Sequence, residues 1–306
     1  MDRSVVITGA SSGIGKASVA SLSRAGWTVF AAVRKAADAR KLEAEYPGVR
    51  SVSMDLQDEG SIRAAAQQVE AQCNGNAIDG LANVAGIGMV RPVEYASLPD
   101  IREIFEVNVF GQIATIQAFA PLLRKRRGRI VNITSVGVNV AIPFGGLLNA
   151  SKSAFGMLSD TMRLELRPFG IRVLTIEPGA IATPAVDKTL GNMEHVIESL
   201  PPEAQMQYGA MLMKFARQAY TREKDGSPAE VVADAIHHAL TSSRPRIRYR
   251  VGKHAKLLAA MAKILPDWLF DEIRMQMVGL EEASNSSATR KIPPSQIRRP
   301  ARPARA

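Results

Sequence analysis

The chain has almost no cysteine. Cys73 is the single cysteine among 306 residues, so an intramolecular disulfide is excluded and a reducing compartment is indicated. The first apolar run begins at Val5, and we expect no secretory signal peptide before it. We therefore expect a cytoplasmic location.

Histidine is scarce as well, and its few copies are poorly spaced for metal binding. The four histidines have no spacing that would align them as ligands, and only one cysteine could help them. The sequence therefore predicts no metal site. The histidines are His195, His237, His238 and His254.

Long apolar runs are also absent. No stretch reaches the roughly 20 residues that a transmembrane helix needs. The nearest candidate, 257–280, is interrupted by Lys263, Pro266 and several acids, and we interpret it as two amphipathic helices. We expect these helices to pack over a pocket of the fold or a partner subunit, with weak contact to an anionic membrane surface as the alternative. Their predicted apolar sides include Leu257, Leu258, Met261 and Leu265, then Trp268, Leu269 and Ile273.

Acidic residues are missing from the end of the chain. The formal net charge is +10, and the residues after Glu282 contain six cations and no acid. Segment 283–306 is rich in Pro, Ser and Arg and has little apolar surface to offset ordering entropy, which predicts a disordered basic tail after one domain at 1–282. We expect no specific nucleic-acid partner. The six cations are Arg290, Lys291, Arg298, Arg299, Arg302 and Arg305.

Short apolar runs alternate with helical patterns along the chain. This alternation predicts an α/β fold, with one doubly wound parallel sheet, helices on both faces and a C-terminal helical extension. The predicted strands are 5–7, 28–33, 49–54, 78–83, 130–133 and 171–176, followed by a seventh at 246–251. On the seventh, Arg246, Arg248 and Arg250 share one face. That stripe either contacts an acidic partner or discourages edge aggregation.

A glycine-rich turn follows the first predicted strand and opens a helical pattern. It reads Thr8-Gly9-Ala10-Ser11-Ser12-Gly13-Ile14-Gly15. Glycines let such a turn tighten and let the backbone approach a pyrophosphate, whose charge then meets the helix N–H groups. The predicted cofactor site is therefore a crevice at the carboxyl ends of the strands.

Further motifs follow this turn in a fixed order. They are Asp55 with Leu56, Asn83-Val84-Ala85-Gly86, Asn108, Ser135, Lys152, Pro178-Gly179 and Thr183. Over roughly residues 3–250 this pattern resembles the short-chain dehydrogenase/reductase family. The segments 167–171, 177–179 and 244–249 resemble its 17β-hydroxysteroid and retinol dehydrogenase branch. The resemblance implies a Rossmann-type fold and a homodimer or homotetramer.

The same resemblance implies roles for individual residues. Asp55 and Leu56 would contact adenine, and Asn83, Ala85 and Gly86 would lie beside the adenosine ribose. Lys152 would bind the nicotinamide ribose, Ser135 the substrate oxygen, and Asn108 a water molecule that links Lys152 to solvent. Further cofactor-binding positions are Thr8, Gly9, Ser11, Ser12, Gly13, Ile14, Gly15, Pro178, Gly179 and Thr183.

Leu148 is the one clear departure from the family pattern, because it stands where the catalytic tyrosine is expected, four residues before Lys152. In the family a phenol with a pKa near 10 exchanges a proton with the substrate while the neighbouring ammonium stabilises the phenolate. Leucine can do neither. Losing a general acid costs on the order of 10²–10⁴-fold in rate, so a slow reductase or a replacement donor is expected.

Charge after the second predicted strand bears on cofactor choice. Arg34 and Lys35 follow that strand, and no Asp or Glu stands where an NAD-specific fold would hold the ribose hydroxyls. An arginine guanidinium suits a 2′-phosphate, and Ser11 or Ser12 could add a hydroxyl. The sequence therefore predicts NADP(H) in preference to NAD(H).

An insertion at about 184–227 is expected to cover the substrate. It holds two candidate replacement donors, His195 and Tyr208, although an exposed histidine and a packed tyrosine are the ordinary alternatives. Its methionines suggest an adaptable apolar pocket and a lipophilic substrate, such as a steroid, retinoid or polyketide, although core packing would use the same residues. They are Met193, Met206, Met211 and Met213.

Two classes of function follow. The first is an NADP(H)-dependent oxidoreductase of a hydrophobic alcohol or carbonyl compound, in which water, Lys152 or a loop residue replaces the phenol. The second keeps the fold without alcohol redox chemistry, as a cyclase, an isomerase or a nucleotide-binding protein without turnover. The retained Ser135, Asn108 and Lys152 favour the first class, and Leu148 favours the second.

Overall fold

The computed structural model describes residues 3–73 and 77–280. Within them, seven parallel strands form one sheet with helices on both faces, so the predicted fold class is confirmed. The predicted tail, 283–306, lies outside the described residues. No helix in the described ranges is long and apolar enough to cross a membrane.

Nine strands and twelve α-helices make up the described part of the chain. The strands are β1 Ser4–Ile7, β2 Thr28–Val33, β3 Val49–Ser53, β4 Gly80–Asn83, β5 Arg129–Ile133, β6 Arg172–Pro178, β7 Ile181–Ala182, β8 Ser227–Pro228 and β9 Arg248–Val251. The helices are α1 Gly13–Arg24, α2 Ala36–Glu45, α3 Glu59–Gln72, α4 Leu98–Phe105, α5 Gly111–Arg126, α6 Gly146–Glu165, α7 Pro184–Leu190, α8 Met193–Glu198, α9 Pro202–Lys224, α10 Glu230–Thr241, α11 Ala255–Ile264 and α12 Asp267–Met277.

The main sheet has the strand order β3-β2-β1-β4-β5-β6-β9. The chain therefore reverses direction across the sheet between β1 and β4, and the connections that follow these two paired strands leave toward opposite halves of the sheet, which opens a crevice at their carboxyl ends. Ligands of doubly wound sheets bind in this crevice. The hydroxyl oxygen of Thr8 lies at its base and accepts hydrogen bonds from the backbone N–H groups of Val84 at 2.9 Å and Ala85 at 3.0 Å.

Two apolar layers cover the sheet. Val5 and Ile7 face one layer, which includes α1 and α10, while Val6 faces the other, which includes α3, α5 and α6. Because successive side chains of a strand point to opposite faces, a strand buried on both sides is apolar throughout. This explains why the strands could be predicted from apolar runs. One difference in strand bounds has a local reason: Ile78 donates to the Leu122 carbonyl instead of pairing with a strand, and β4 starts at Gly80.

The arginine stripe on β9 is engaged inside the protein. Glu177 of β6 is fully buried, and its carboxylate is paired with Arg248 and with Arg250, whose Nε lies 2.9 Å away. Arg248 also donates to Asp160 at 2.7 Å. The stripe therefore fixes the edge strand to its neighbour, and the alternative of an acidic partner is wrong for Arg248 and Arg250.

The two amphipathic helices predicted at 257–280 are present as α11 and α12, and Pro266 separates them. Their packed sides differ from the prediction. Leu257 is 58% exposed and Trp268 is 69% exposed, because the small side chains of Ala255 and Ala259 and the ring of Phe270 fill the contact with the body. The expected apolar sides are thus only partly used for packing.

We predict that Arg248→Ala destabilises the protein by about 1.5–3 kcal/mol, because a buried carboxylate loses a charged hydrogen-bond donor. Arg246→Ala is the matched control, since Arg246 belongs to the same stripe but is exposed, and it should change the free energy of unfolding by less than about 0.5 kcal/mol. Urea denaturation of both variants measures the difference. Equal stabilities of the two variants would show that the contact between Arg248 and Glu177 contributes nothing.

Candidate active site

A tight glycine turn joins β1 to α1. The Cβ that an alanine would carry at Gly15 lies 2.1 Å from the carbonyl oxygen of Gly9, and at Gly9 it lies 2.8 Å from Cα of Ala85. Gly9 and Gly13 have φ of +64° and +52°, a conformation that glycine adopts readily. The close approaches therefore require glycine at both Gly9 and Gly15.

The first turn of α1 lacks a side-chain cap. Ser12 is the N-cap residue and accepts no hydrogen bond from the helix, whereas Asp58 accepts from two N–H groups at the start of α3. The N–H groups at the start of an uncapped helix can bind an anion such as a pyrophosphate. A groove of about 240 Å³ opens over this turn, so the residues present fit a dinucleotide.

Most of the predicted cofactor-binding residues line this groove, which is called here the nucleotide groove. Arg34 enters it from the end of β2 and is exposed. The predicted residues that line it are Thr8, Gly9, Ser11, Ser12, Gly13, Ile14, Gly15, Arg34, Asp55, Leu56, Ala85, Gly86 and Thr183. Asn83 does not line it, because its amide donates to the side chain of Asn132 in the sheet.

The groove also has lining residues that the motifs did not indicate. Lys188 on α7 supplies a second cation, and its position five residues after Thr183 carries no local signal. Most of the others are apolar residues at strand ends or in the following loops, where an apolar side chain is ordinary. They are Ala32, Val33, Met54, Val84, Ile87, Val107 and Ala185.

A second cavity of about 370 Å³, called here the chamber, adjoins the nucleotide groove. Gly86, Ile87 and Thr183 line both cavities, which makes them neighbours. Ser135, Leu148 and Lys152 line the chamber, as do Pro178 and Gly179. The chamber wall is mainly apolar, and among its described residues there is no tyrosine.

Asn108 holds the backbone at the boundary of the two cavities. It lies in a π-helical segment, Glu106–Phe110, between α4 and α5, a geometry that is common at functional sites. Its amide oxygen accepts from Ile87 N at 2.9 Å, and its nitrogen donates to Ile87 O at 2.9 Å and to the hydroxyl of Ser151 at 3.1 Å. The side chain is fully buried and lines neither cavity.

Lys152 is the buried cation of the chamber. Its Nζ donates to the carbonyl oxygen of Ile133 at 2.9 Å, and no carboxylate is paired with it among the described residues. Burial lowers the pKa of Lys152 to about 8 because the charged form is poorly solvated. A Cβ at Gly86 would lie 3.2 Å from Nζ and 3.1 Å from the amide oxygen of Asn108, so the ammonium reaches the boundary with the groove.

Ser135 lies at the end of β5. Its hydroxyl oxygen accepts from the N–H of Gly137 at 3.0 Å, and its proton can be donated to a bound carbonyl oxygen. The Cβ position of Gly137 lies 3.2 Å from that hydroxyl and 2.3 Å from the amide oxygen of Asn149. Asn149, the residue after Leu148, is thus a further polar neighbour of Ser135 that the sequence analysis missed.

The two replacement donors proposed from the sequence do not line the chamber. His195 is exposed on α8, and the hydroxyl of Tyr208 donates to Glu94 at 2.7 Å while its ring packs against Tyr95 and Phe144. The four methionines of the insertion do not line the chamber either. Met193 is buried in an apolar cluster with residues of α9, and Met206 is 82% exposed. Phe215 and Ala219 of α9, with Met89 and Met277, are among the apolar residues that line the chamber.

A doubly wound sheet with a glycine turn at the point where its strand order reverses defines a dinucleotide-binding protein. The family model described as short chain dehydrogenase matches residues 3–194, which is more than half of the chain. The chain therefore belongs to the short-chain dehydrogenase family.

Curated relatives extend this likeness over most of the chain. Retinol dehydrogenase 5 of Homo sapiens is 34% identical over 88% of this chain and 86% of that protein. The 17-beta-hydroxysteroid dehydrogenase type 6 of Rattus norvegicus is also 34% identical, over 88% of this chain and 87% of that protein. The predicted likeness to the branch that contains both activities is confirmed.

Solved structures of the family have the same fold. A short-chain dehydrogenase from Burkholderia cenocepacia in complex with NADP has a TM-score of 0.68 and 26% identity, covering 89% of this chain and 97% of its own. One from Burkholderia phymatum in complex with NAD has a TM-score of 0.71 and 25% identity, covering 90% and 95%. The two neighbours hold different nucleotides, so fold likeness does not choose between them.

We predict that Gly15→Ala weakens nucleotide binding about tenfold or more, because the added Cβ forces the Gly9 carbonyl away and spoils at least one charged hydrogen bond worth about 1.5 kcal/mol. Gly156→Ala is the control, since a Cβ there meets its nearest neighbour at 3.7 Å. Calorimetric titration with NADPH and NADH measures both variants. Unchanged affinity in Gly15→Ala would contradict this use of the turn.

Proposed function

We propose that the protein is an NADP(H)-dependent oxidoreductase that acts on a hydrophobic alcohol or carbonyl compound. The observation that carries the proposal is the junction of the two cavities, where the Lys152 ammonium reaches Gly86, a residue that lines both. A substrate in the chamber would meet the nucleotide at this junction. The nucleotide, when bound, supplies or accepts the hydride.

Several of the chain's own groups would hold the nucleotide. The uncapped first turn of α1 and the glycine turn suit its pyrophosphate, and Asp55 lines the part of the groove at the end of β3. Lys152 would bind the nicotinamide ribose, with Pro178, Gly179 and Thr183 beyond it on the chamber wall. In this proposal Asn108 acts on the site through the backbone of Ile87.

The preference for NADP(H) rests on Arg34. This guanidinium lies in the nucleotide groove, and no acid follows β2 to receive ribose hydroxyls. Arginine binds phosphate through charged, often paired hydrogen bonds. Lys35 is also exposed but does not line the groove, which supports Arg34 over Lys35 as the proposed phosphate ligand.

We predict that Arg34→Ala narrows the preference for NADPH over NADH by about tenfold or more, since a charge-assisted phosphate contact contributes about 1.5–3 kcal/mol. Lys35→Ala should leave the preference within about twofold, because Lys35 lies outside the groove. Dissociation constants of both nucleotides for the three proteins measure this. Tighter NADH than NADPH in the unaltered chain would overturn the cofactor assignment.

Lys152 is the group that we assign as proton donor in carbonyl reduction. It lies one helical turn after Leu148 on α6 and lines the same chamber, and Ser135 can hold the carbonyl oxygen by a hydrogen bond. The ammonium gives its proton to that oxygen as the alcohol forms. The pKa of Lys152, about 8, is closer to pH 7 than that of an ordinary lysine, so Lys152 is the better acid near neutral pH.

We predict that the rate of carbonyl reduction is constant below about pH 7 and falls as the pH rises through about 8, because the charged Lys152 is lost there. Stopped-flow measurement of NADPH oxidation across this range, with the protein saturated in nucleotide, gives the profile. A rate that stays constant to pH 10 would exclude Lys152 as the donor.

The substrate assignment rests on the chamber. Its mainly apolar wall and its volume of about 370 Å³ suit a lipophilic molecule. Relatives named as a retinol dehydrogenase and a hydroxysteroid dehydrogenase support the same class. Steroids, retinoids and polyketide-like ketones are therefore the compounds to test.

Leu148 supports a second candidate function. It adds an apolar side chain to the chamber beside Ser135, where a phenol would have supplied a proton. A reaction without net redox change, such as cyclisation or isomerisation, or binding without turnover, would use that apolar wall. The two functions differ in what a restored phenol would do.

We predict that Leu148→Tyr raises the rate of NADPH-dependent reduction of a lipophilic ketone by about 10²-fold or more, the lower range for a restored general acid. Leu148→Phe is the control, because it adds a ring without a hydroxyl, and it should give no increase. NADPH absorbance and product mass are followed together. If the second function is correct, Leu148→Tyr abolishes a reaction that consumes no NADPH, whereas Leu148→Phe, which keeps the wall apolar, retains more of it.

The expected homodimer or homotetramer has support from the surface. Met157 and Leu164 lie two turns apart on one side of α6 and are 69% and 59% exposed. Apolar side chains exposed in such a row often belong to an interface between copies of a chain. Light scattering after size-exclusion chromatography measures the mass in solution.

A further inference from the structure

Glu223 is an unusual side chain in the chamber. Among the described residues that line this cavity it is the one carboxylic acid. The other ionisable lining residues are the cations or imidazole of Lys152, Arg222, Lys253, His254 and Arg274. An acid in a mainly apolar wall needs hydrogen-bond partners, because an unsatisfied buried polar group costs about 1–3 kcal/mol.

The backbone fixes the position of Glu223. It lies in the last turn of α9, and its carbonyl oxygen accepts from Gly226 N at 3.1 Å. Gly226 packs closely on the next wall, since a Cβ there would lie 2.7 Å from the carbonyl carbon of Ala180, and Ser227 N donates to Ala180 O at 3.0 Å. The end of α9 is therefore attached to the segment before β7.

The carboxylate is incompletely satisfied. Arg222 Nε lies 3.7 Å from it, which is longer than a hydrogen bond, and the backbone N–H of Ile181 is its other neighbour. Lys253 and Arg274 are paired elsewhere, with Asp225 and Asp271. An ionised carboxylate has about four acceptor sites, so capacity remains for a bound molecule. The side chain is 29% exposed, which allows contact with one.

Burial raises the pKa of Glu223, against the opposing effects of Arg222 and the Ile181 N–H. A raised pKa agrees with a carboxyl group that faces a poorly hydrated space. In either protonation state its oxygens accept a hydrogen bond from a hydroxyl or an amine. A carboxylate on the ligand would instead be repelled when both groups are ionised.

We propose that Glu223 is a specificity-determining residue that accepts a hydrogen bond from a hydroxyl or amino group carried by the lipophilic substrate away from its reacting oxygen. Ser135, which follows β5, and Lys152 of α6 hold the reacting oxygen. Glu223 reaches the chamber from the end of α9, which is attached to the segment before β7. The substrate is then bifunctional. This inference rests on the proposed function for the identity of the reacting end.

A bifunctional substrate gains selectivity from this arrangement. A pocket that offers a polar partner to a hydroxyl strongly rejects the analogue without it, because the protein group is left unpaired. A substrate whose far end is a plain hydrocarbon would leave the Glu223 carboxyl group unpaired. The chamber should therefore distinguish two ligands of equal length that differ only at the far end.

Matched ligands test the inference by binding, without turnover. With the protein saturated in NADPH, which cannot accept a hydride from an alcohol, calorimetry compares decanol with the α,ω-diol, the ω-amino alcohol and the ω-hydroxy acid of the same chain length. We expect the diol and the amino alcohol to bind at least about tenfold more tightly than decanol, and the hydroxy acid no more tightly than decanol. Tighter binding of the hydroxy acid, or equal binding of decanol and diol, overturns the proposal.

Variants assign the discrimination to Glu223. Glu223→Leu should reduce the ratio of decanol to diol dissociation constants to about twofold or less. Glu223→Gln retains an acceptor oxygen and should keep the preference for the diol over decanol. It has no charge to attract an ammonium group, so the amino alcohol should bind no more tightly than the diol. Glu198→Gln is the control, because Glu198 is exposed on α8 and does not line the chamber. Undiminished discrimination in Glu223→Leu overturns the assignment.

Two further measurements separate the possible failures. Unchanged NADPH affinity and melting temperature in the Glu223 variants establish that the fold and nucleotide groove are intact. NADPH oxidation with plain and ω-hydroxylated ketones then tests the proposed function: no oxidation with any ketone defeats that function, while a Glu223-dependent diol preference still supports the binding site. Oxidation without such a preference defeats only the inference about Glu223.

Discussion

The carbonyl oxygen of Gly9 occupies the space that any side chain at Gly15 would need. A Cβ at Gly15 would lie only 2.1 Å from that oxygen. This contact lets α1 start directly behind β1, so that its uncapped first turn faces the crevice. The position of the crevice in turn follows from the strand order, which reverses between β1 and β4. Thr8 joins the ends of those strands through two hydrogen bonds, and the groove, the chamber and their junction are arranged around this base.

The strands and the groove were predictable because their signals are local in the chain. Strands buried on both faces are continuous apolar runs, and a turn that excludes side chains shows as glycine. The packing of α11 was not predictable in the same way, since periodicity defines a face but not what covers it, and Leu257 remained exposed. Glu223 gave no signal, because a glutamate near a helix end is common and its environment depends on contact with distant Ala180.

Electrostatics at the junction give the predicted absence of a phenol at Leu148 a consequence beyond one missing hydroxyl. The family resemblance of the sequence predicts a phenolate partner for the Lys152 ammonium; Leu148 cannot supply one, and Lys152 is buried with no anionic partner among the described residues. Under the proposed function, the desolvation of Lys152 acts directly on the proton donor. A carboxyl group from α9 and an ammonium from α6, each with its charged form disfavoured by burial, then face the same mainly apolar space.

The π-helical segment Glu106–Phe110 makes the site sensitive to the length of the chain there. It accommodates one residue more than a regular α-helix would between α4 and α5. Since the widened turn already takes up that residue, a one-codon deletion would convert it to a regular α-helical turn with little rotation of α4 against α5, and would move the side chains within the segment instead. Asn108 would then leave its present contacts with Ile87 and Ser151. In genetic terms, this junction should tolerate many substitutions of exposed side chains but no change in codon number.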